Sequence, residues 1–464
     1  MRPSHRSTAL LRAAAVVGAA VLVGAPIGAQ QPGSSQSLGQ PVRLSLGEAA
    51  RLAARQSNGV LGAIERVTEA QARVRQSRAA LLPSLNADAV QSGRTFNSVT
   101  FGITLPSAPG QPPLFNPEGQ VLGPVNTLDL RGHVQADLLD PSAVARVRTA
   151  QTAVSAARAD VSNQGDLAAN QAAAAYIRVL RGNAQVNARL ADSTLARDLL
   201  TIAQSQLEAG VGVALDVTRA ESQLAGVRAQ LISARNERDR AQLDLRRALN
   251  LSLDTPIQLT DTLAATFSDN VALDEPTATA RALRDRPDLR ALDEQLRAAR
   301  QNVTAIRAER LPSLSAFGDD GTIGKSGSSR LLPTYTYGVQ LSVPIFDGFR
   351  REGRIQEQEA ATRELDVRRR DLEQQASMDV RGALLDLASA RDEVVASRER
   401  LRLAEQEVTQ ARERFRAGVA GNADVVNASF TLNAARSQYV DVLTALQQAR
   451  VSIARAEGAL TQLQ

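Results

Sequence analysis

Side chains that could catalyse a reaction or bind a metal are scarce in this sequence of 464 residues. It contains no Cys and only two His, His5 and His133. The lack of Cys excludes disulfides, cysteine-zinc and iron–sulfur sites, thiol catalysis and a lipidated N-terminal cysteine. A His-based metal site or a Ser–His–Asp triad would depend on one imidazole, because His5 lies in a segment that we expect to be removed. We therefore expect no enzymatic activity, no cofactor and no metal.

The charged residues argue against a nucleic-acid partner. The chain carries 54 Lys and Arg against 49 Asp and Glu, which gives a formal net charge of +5. Three of the arginines, Arg2, Arg6 and Arg12, lie close to the N-terminus. The rest of the chain is therefore close to neutral and lacks the concentrated positive charge that nucleic-acid binding requires.

The N-terminus has the pattern of a secretory signal peptide. Its three arginines precede an apolar run over residues 13–28, and Ala29 offers a small residue at the cleavage point. A membrane anchor is the alternative, but the run is shorter than the roughly 20 residues that cross a bilayer as a helix. We expect residues 1–29 to be a signal peptide and residues 30–43 to be an N-terminal extension.

Two internal repeats organise the rest of the chain. The sequence Leu-Pro-Ser-Leu at 82–85 recurs at 311–314, and Ala-Gly-Val at 209–211 recurs at 417–419. The first predicted repeat covers residues 44–250 and contains a helix, a strand pair at 83–139 and a helical hairpin at 142–250. An equatorial linker follows at 251–277. The second predicted repeat covers residues 278–464 and contains a helix, a strand pair at 312–346 and a helical hairpin at 348–462.

A long helical hairpin is predicted after each strand pair. No Pro occurs over 142–255 or 345–464, and helix interiors exclude Pro because it lacks the N–H and clashes with the preceding turn. One closely spaced pair of glycines breaks each block, Gly210/Gly212 in the first and Gly418/Gly421 in the second, where the chain must reverse. A seven-residue ladder in the returning arm of the second hairpin predicts coiled-coil packing: Val425, Leu432, Tyr439, Leu446, Ile453 and Leu460.

Strands are predicted between the helices, where aromatic residues concentrate. Over 334–343, Thr, Val and Tyr alternate with small or polar residues, as in a strand with two different faces. We expect His133 to be a wall residue of such a strand rather than a ligand. Asp319-Asp320-Gly321 has the pattern of a turn between strands, with a calcium loop as the alternative. Two strands per repeat give four per chain, which cannot close a barrel, so several chains would have to share one in a membrane.

In their order and duplication, these features resemble the outer-membrane efflux protein family, the TolC family. The Leu-Pro-Ser-Leu pair and the glycine-tipped segments Gly210–Val217 and Gly418–Val425 carry the resemblance; each is weak alone. The resemblance implies a mainly α fold with a small β part. Long antiparallel helical hairpins would form a trimeric α-barrel, and four β-strands per protomer would contribute to a shared 12-stranded transmembrane β-barrel.

The resemblance also implies a function and partners. The protein would be the outer-membrane exit channel of a tripartite efflux or type I secretion system, a passive conduit that docks on a periplasmic adaptor. An inner-membrane transporter of the RND, ABC or MFS type would supply the energy. The channel would be a homotrimer in outer-membrane lipid, with its helical tunnel in the periplasm and no lipid anchor, because there is no Cys. The sequence does not choose between a drug, a metal ion and a protein as cargo.

Transferred residue by residue, the resemblance implies that the hairpin tips dock the adaptor. The tip residues concerned are Gly210, Val211, Gly212, Gly418, Val419 and Ala420. A plainer interpretation is that these glycines only turn the chain, and both interpretations can hold at once.

The resemblance further implies a periplasmic entrance beside the tips. Asp216 and Asp424 match acidic residues that would attract cations around a narrow pore. Asn427 replaces a second Asp of the family pattern, which weakens the acidic ring. Ala420 and Phe415 stand where some members have the Arg and Tyr that hold the entrance shut, so a closed state would need other contacts. The aspartates could equally be first-turn residues that interact with helix dipoles.

Two other classes of protein share part of the pattern. Periplasmic adaptor (membrane fusion) proteins carry one long helical hairpin flanked by β domains, whereas this chain has two hairpins, each preceded by a strand pair. A structural coiled-coil protein of the envelope would explain the seven-residue ladder but not the duplicated strand segments. Both classes remain alternatives to the channel.

Overall fold

The computed structural model describes residues 41–101, 119–264, 274–328, 330–419 and 421–462. The predicted signal peptide and nearly all of the N-terminal extension lie outside these residues, as does most of the segment between the strands of the first pair.

The first half of the described chain contains a short strand, two helices, two long strands and a helical hairpin. In chain order these elements are β1 (Val42–Leu44), α1 (Leu46–Gln56), α2 (Asn58–Ala79), β2 (Ser84–Asn97), β3 (Val121–Leu139), α3 (Pro141–Glu208) and α4 (Ala214–Ala248).

The second half has the same order of elements. They are β4 (Ile257–Leu259), α5 (Glu275–Asp285), α6 (Pro287–Ala308), β5 (Ser313–Lys325), β6 (Leu332–Ser342), α7 (Arg350–Arg416) and α8 (Asn422–Ala456). The prediction of a mainly helical fold with a small β part is confirmed.

Local side-chain contacts set the starts of the helices. Ser45 and Glu48 form a capping box, in which each side chain accepts a hydrogen bond from the backbone N–H of the other residue. Asp140 accepts from the backbone N–H groups of Ser142 and Ala143, at 2.9 and 3.1 Å. Pro141 occupies the first turn of α3, where its missing N–H costs nothing. These contacts fix the points at which α1 leaves β1 and α3 leaves β3.

The two long helices dominate the fold. Helices α3 and α7 have 68 and 67 residues, so each is about 100 Å long at the usual rise per residue. Their returning partners α4 and α8 have 35 residues each and cover about half of that length. Helix α2 packs on the remainder of α3, and α6 packs on both α3 and α7. Each long helix is therefore paired along most of its length.

Small side chains form much of the core between these helices. Ala169, Ala172 and Ala173 of α3 are fully buried, next to the fully buried Tyr176. On α8, the predicted seven-residue ladder is buried except for the half-buried Tyr439, and its last member, Leu460, lies just beyond the helix. Alanines at the contact surfaces allow neighbouring helix backbones to approach closely.

A short parallel strand pair joins the start of the described chain to its middle. Strand β1 pairs with β4, from Val42 opposite Ile257 to Leu44 opposite Leu259. The Tyr176 hydroxyl lies 2.9 Å from the Leu44 carbonyl oxygen and 3.0 Å from a carboxylate oxygen of Asp261. This buried tyrosine thus ties α3 to the strand pair.

The long strands form one antiparallel sheet with the order β2-β3-β5-β6. The central pair, β3 and β5, joins the two halves of the chain. Because side chains alternate along a strand, one face is mainly apolar, with Leu130, Val134, Tyr337 and Val339 beside the carboxylate Asp320. The opposite face carries most of the polar residues, such as His133. The apolar side chains named here are 40% to 80% exposed.

The predicted turn at Asp319-Asp320-Gly321 is wrong. These residues lie inside β5, where Asp319 pairs with both His133 and Thr336, and the turn between β5 and β6 follows at Gly327, with a φ of 79°. A Cβ on Gly321 would lie 2.3 Å from the Leu130 carbonyl oxygen, so this glycine is required by close strand packing. Cross-strand contacts overrode a local turn signal.

Candidate functional site

The first hairpin turns through Gly210, Val211 and Gly212. Gly210 has a φ of 73°, in the left-handed region that favours glycine. The backbone N–H groups of Val211 and Gly212 both donate to the Gln206 carbonyl oxygen, at 3.0 and 2.9 Å. A Cβ on Gly212 would lie 2.9 Å from the backbone nitrogen of Leu207, which leaves no room for a side chain. Both glycines serve the turn, and Val211 is 80% exposed at its end.

The second hairpin turns in the same way at Gly418, which has a φ of 70°. The backbone N–H of Val419 donates to the Arg414 carbonyl oxygen at 3.1 Å, and the Val419 side chain is 68% exposed. Ala420 lies outside the described residues. Each tip therefore presents an exposed valine directly after a left-handed glycine.

Two side-chain hydrogen bonds join the tips to each other. The Gln206 side-chain amide donates to the Phe415 carbonyl oxygen at 2.8 Å, and the Asn422 side-chain amide donates to the Asp216 carbonyl oxygen at 2.8 Å. Asn422 is buried, and its Oδ1 has no hydrogen-bond partner. The two hairpins of one chain are thus bonded together where each of them turns.

Phe415 points into the protein rather than towards solvent. It is 3% exposed and packs in a cluster to which all four hairpin helices contribute: Leu199, Ala203, Ala220, Phe415 and Val425. At this position the side chain holds the ends of the hairpins together. From the sequence, we expect Phe415 to lie at the periplasmic entrance. Its contacts within one chain are those of a core residue.

The predicted entrance residues lie at the starts of the returning helices. Asp216 and Asp424 each occupy the third position of a helix, α4 and α8, where a carboxylate interacts favourably with the helix dipole. Asp216 also lies 3.7 Å from Arg219. Asp424 and Asn427 are exposed. Within one chain, the geometry of both aspartates is that of first-turn residues.

A buried carboxylate joins the two hairpins further from the tips. The side chain of Asp192, on α3, is fully buried and lies 3.0 Å from Arg189 and 2.7 Å from Arg436 of α8. Arg189 also donates to the Ser437 hydroxyl at 2.7 Å. Because a buried charge is tolerated only when it is paired and hydrogen-bonded, this network fixes α3 and α8 relative to each other.

A groove of 690 Å³ lies between α4 and α8 beside this network. Its walls include Arg189, Arg219 and Asn427, and Phe430 adds a 58% exposed aromatic ring. The groove therefore connects the predicted entrance residue Asn427 with the buried Asp192 network.

No group of His, Asp and Glu side chains among the described residues is placed to hold a metal ion. In the same residues, no helix is both long and apolar enough to cross a membrane.

Sequence reasoning missed the contacts between the hairpins. It singled out neither Gln206 nor Asn422, although both lie within a few residues of the predicted tips and are polar where a helix begins or ends. It also missed Asp192, whose partner Arg436 is 244 residues away. No local pattern marks such a pair.

One family model matches most of the chain. The model described as outer membrane efflux protein matches residues 50–251 and 279–459. The break between the two matched segments contains β4 and the start of α5.

Known proteins match as well. The alkaline protease secretion protein AprF of Pseudomonas aeruginosa is 28% identical over 394 residues, which cover 80% of this chain and 76% of AprF. The toluene efflux pump outer membrane protein TtgF of Pseudomonas putida is 31% identical over 197 residues, 39% of this chain and 38% of TtgF. The solved structure of the Campylobacter jejuni CmeC outer membrane channel has a TM-score of 0.72 at 17% identity, covering 89% of this chain and 85% of CmeC.

Proposed function

Because the chain belongs to the outer membrane efflux protein family, we propose that it is the exit channel of a tripartite efflux or type I secretion system. Proteins of this family are outer-membrane channels, and this chain shares their location and their fold. The finer proposal is a passive conduit without catalytic activity, docked on a periplasmic adaptor and energised by an inner-membrane transporter.

The observation that carries this proposal is the four-stranded sheet with two different faces. Its apolar face is exposed in the single chain, and its edge strands β2 and β6 each have one strand neighbour in the described residues. Open strand edges are not tolerated in lipid, so a membrane-inserted sheet must continue into other copies. Three copies would supply twelve strands to one β-barrel, and a homotrimer is the assembly that we propose.

The hairpin tips are the proposed docking point for the adaptor. Val211 and Val419 expose apolar side chains on turns that the surrounding glycines and backbone hydrogen bonds hold in place. A fixed turn pays little ordering entropy when a partner binds, and an exposed valine offers apolar surface to bury. Asp216, Asp424 and Asn427 would then surround the periplasmic entrance of the trimer, where carboxylates attract cations.

The named relatives belong to two classes of export system, one for a protein and one for a small molecule. AprF is named for the secretion of a protease and TtgF for the efflux of toluene. Both names are compatible with a conduit that leaves the choice of cargo to its inner-membrane partner.

Conductance in planar lipid bilayers tests the channel. We expect purified trimers, identified by their resistance to detergent at room temperature and their dissociation on heating, to produce discrete conductance steps. Folded trimers without conductance would contradict the proposal. Cell fractionation separates the alternatives, because an adaptor or a structural coiled-coil protein would not behave as an integral outer-membrane β-barrel protein.

Crosslinking in cells tests the tips. We expect Val211→Asp with Val419→Asp to abolish crosslinking to the adaptor while trimer formation and bilayer conductance persist. The matched control is Ile232→Asp, at a 68% exposed position of α4 away from both tips, which should leave tip crosslinking intact. Equal loss in both variants would remove the tips as the docking point.

A further inference from the structure

His133 lies between carboxylates of two neighbouring strands. Its Nε2 is 3.2 Å from Asp88 Oδ2 on β2, and its Nδ1 contacts Asp319 Oδ1 on β5. The imidazole is 38% exposed, so water reaches it. It is the one histidine among the described residues. Since both ring nitrogens face acceptors, both contacts are hydrogen bonds only when the imidazole is protonated and charged.

The polar face of the sheet around His133 carries charges of both signs. Asn86 pairs with His133 from β2, Arg131 and Gln135 flank it on β3, and Thr336 of β6 lies beyond Asp319. By strand register, the charged side chains on this face are Asp88, Asp129, Asp137, Asp319, Arg94, Arg131 and Lys325.

The protonation state of His133 determines the net charge of this face of the sheet. Its four carboxylates exceed its three cationic side chains by one. A neutral imidazole therefore leaves one net negative charge per chain, and a charged imidazole leaves none. In a trimer, the change is from three negative charges to zero on the surface that would line the water-filled strand region.

We propose, on the premise of the channel function above, that His133 with Asp88 and Asp319 sets the ion selectivity of the strand-lined part of the channel. With a neutral imidazole the lining attracts cations, and with a charged imidazole this preference is lost. Charges along a water-filled lumen raise the local concentration of counter-ions, and the effect is largest at low ionic strength, where screening is weak.

Reversal potentials across planar bilayers test the proposal. A KCl gradient from about 10 to about 100 mM keeps the screening length long enough for lining charges to act. The wild type is compared at a basic pH of about 8.5 and an acidic pH of about 5.5. We expect its preference for K⁺ over Cl⁻ to fall at least about twofold at the lower pH.

Three variants separate His133 from other titrating groups. His133→Asn should keep the same cation preference at both pH values. His133→Arg should have the reduced preference at both. Asp88→Asn should lower the preference for K⁺ over Cl⁻ at pH 8.5. Because the Asp88 side chain is 57% exposed, this substitution should not disturb the packing of the protein core. A pH response in His133→Asn equal to that of the wild type would overturn the proposal, as would unchanged selectivity in His133→Arg. Folded wild-type trimers without any conductance would instead contradict the channel function itself.

Discussion

Arg286 is almost completely buried, yet two carboxylates surround it. Its guanidinium lies 2.7 Å from Asp288 and 2.7 Å from Asp379 of α7. Burial acts to raise the pKa of Asp379, but hydrogen bonds from Arg286 and Gln375 outweigh it, and the pKa lies below its ordinary value. The neighbouring Asp166 behaves in the opposite way. Burial and the negative charge of Asp288 raise its pKa, against the attraction of Arg455 and Arg286.

These opposite shifts predict opposite pH effects of two similar substitutions. A carboxyl whose folded pKa is raised costs stability as the pH rises through that pKa and costs none below its unfolded pKa of about 3.9. Asp166→Asn should therefore stabilise the protein at pH 7, and the gain should vanish near pH 4.

Asp379→Asn is the matched control in the same cluster. Its folded pKa is lowered, so the carboxylate contributes stability at pH 7 that is lost as the pH falls. This variant should be less stable at pH 7 and should approach the wild type in acid. Thermal unfolding of trimers in detergent, followed from pH 4 to pH 8, measures both. The same sign for the two variants would contradict this account.

The role of a single residue can be predicted from the sequence when that role depends on its neighbours along the chain. Gly210 and Gly418 were expected at chain reversals, and both have left-handed backbone conformations. His133 was expected only as a wall residue, because its partner Asp319 is 186 residues away. The same distance explains the wrong turn at Asp319, whose strand conformation depends on partners that no local pattern reveals.

At the level of elements, α3 and α8 are joined by two ion pairs in very different surroundings. Asp192 is fully buried between Arg189 and Arg436, whereas Asp441 of α8 and Arg181 of α3 form a pair that is half exposed. Water screens the exposed pair, and the buried pair cannot lose one partner without leaving a charge uncompensated.

This difference predicts unequal costs for the same chemical change. Asp192→Asn should destabilise the folded protein by about 3–5 kcal/mol, because two arginines keep their charge without the carboxylate. Asp441→Asn should cost about 1 kcal/mol or less. Chemical denaturation of the detergent-solubilised trimer gives both values. Similar costs for the two variants would show that the Asp192 network does not fix the hairpins.

The lengths of the helices could be predicted, but their mutual contacts could not. Absence of Pro and the placement of Gly indicate two long hairpins, and the ladder from Val425 to Leu460 indicates which face of α8 is buried. Asp192 of α3 pairs with Arg436 of α8, and exposed ion pairs such as Arg307 with Glu359 lie between α6 and α7. Neither follows from periodicity.

For the whole molecule, the two faces of the sheet predict which side meets lipid. Val339 and Gln340 are neighbours on β6, but Val339 lies on the apolar face and Gln340 on the polar face. Lysine on a lipid-facing position would cost about 2 kcal/mol, between the values for the membrane interface and the midplane. Val339→Lys should therefore reduce the amount of heat-dissociable trimer in the outer membrane.

Gln340→Lys is the matched control for that substitution. The same charge one residue along the strand would face water and should leave trimer yield close to that of the wild type. Quantifying trimers in outer-membrane fractions by gel electrophoresis without and with heating measures both variants. Equal yields would contradict the assignment of the lipid-facing side.

The strand order β2-β3-β5-β6 has a further consequence for an assembly of copies. The junction inside the chain joins the second strand of repeat one to the first strand of repeat two. A closed ring requires the complementary junction, from β6 of one copy to β2 of the next, so the repeats alternate around the ring. Three copies thereby approximate sixfold symmetry. A ring of six separate repeats would need six strand pairings between chains. With two repeats in each chain, three of these pairings form within a chain, without an encounter between molecules, and only three form between chains. It also frees alternate positions of the ring to diverge in sequence.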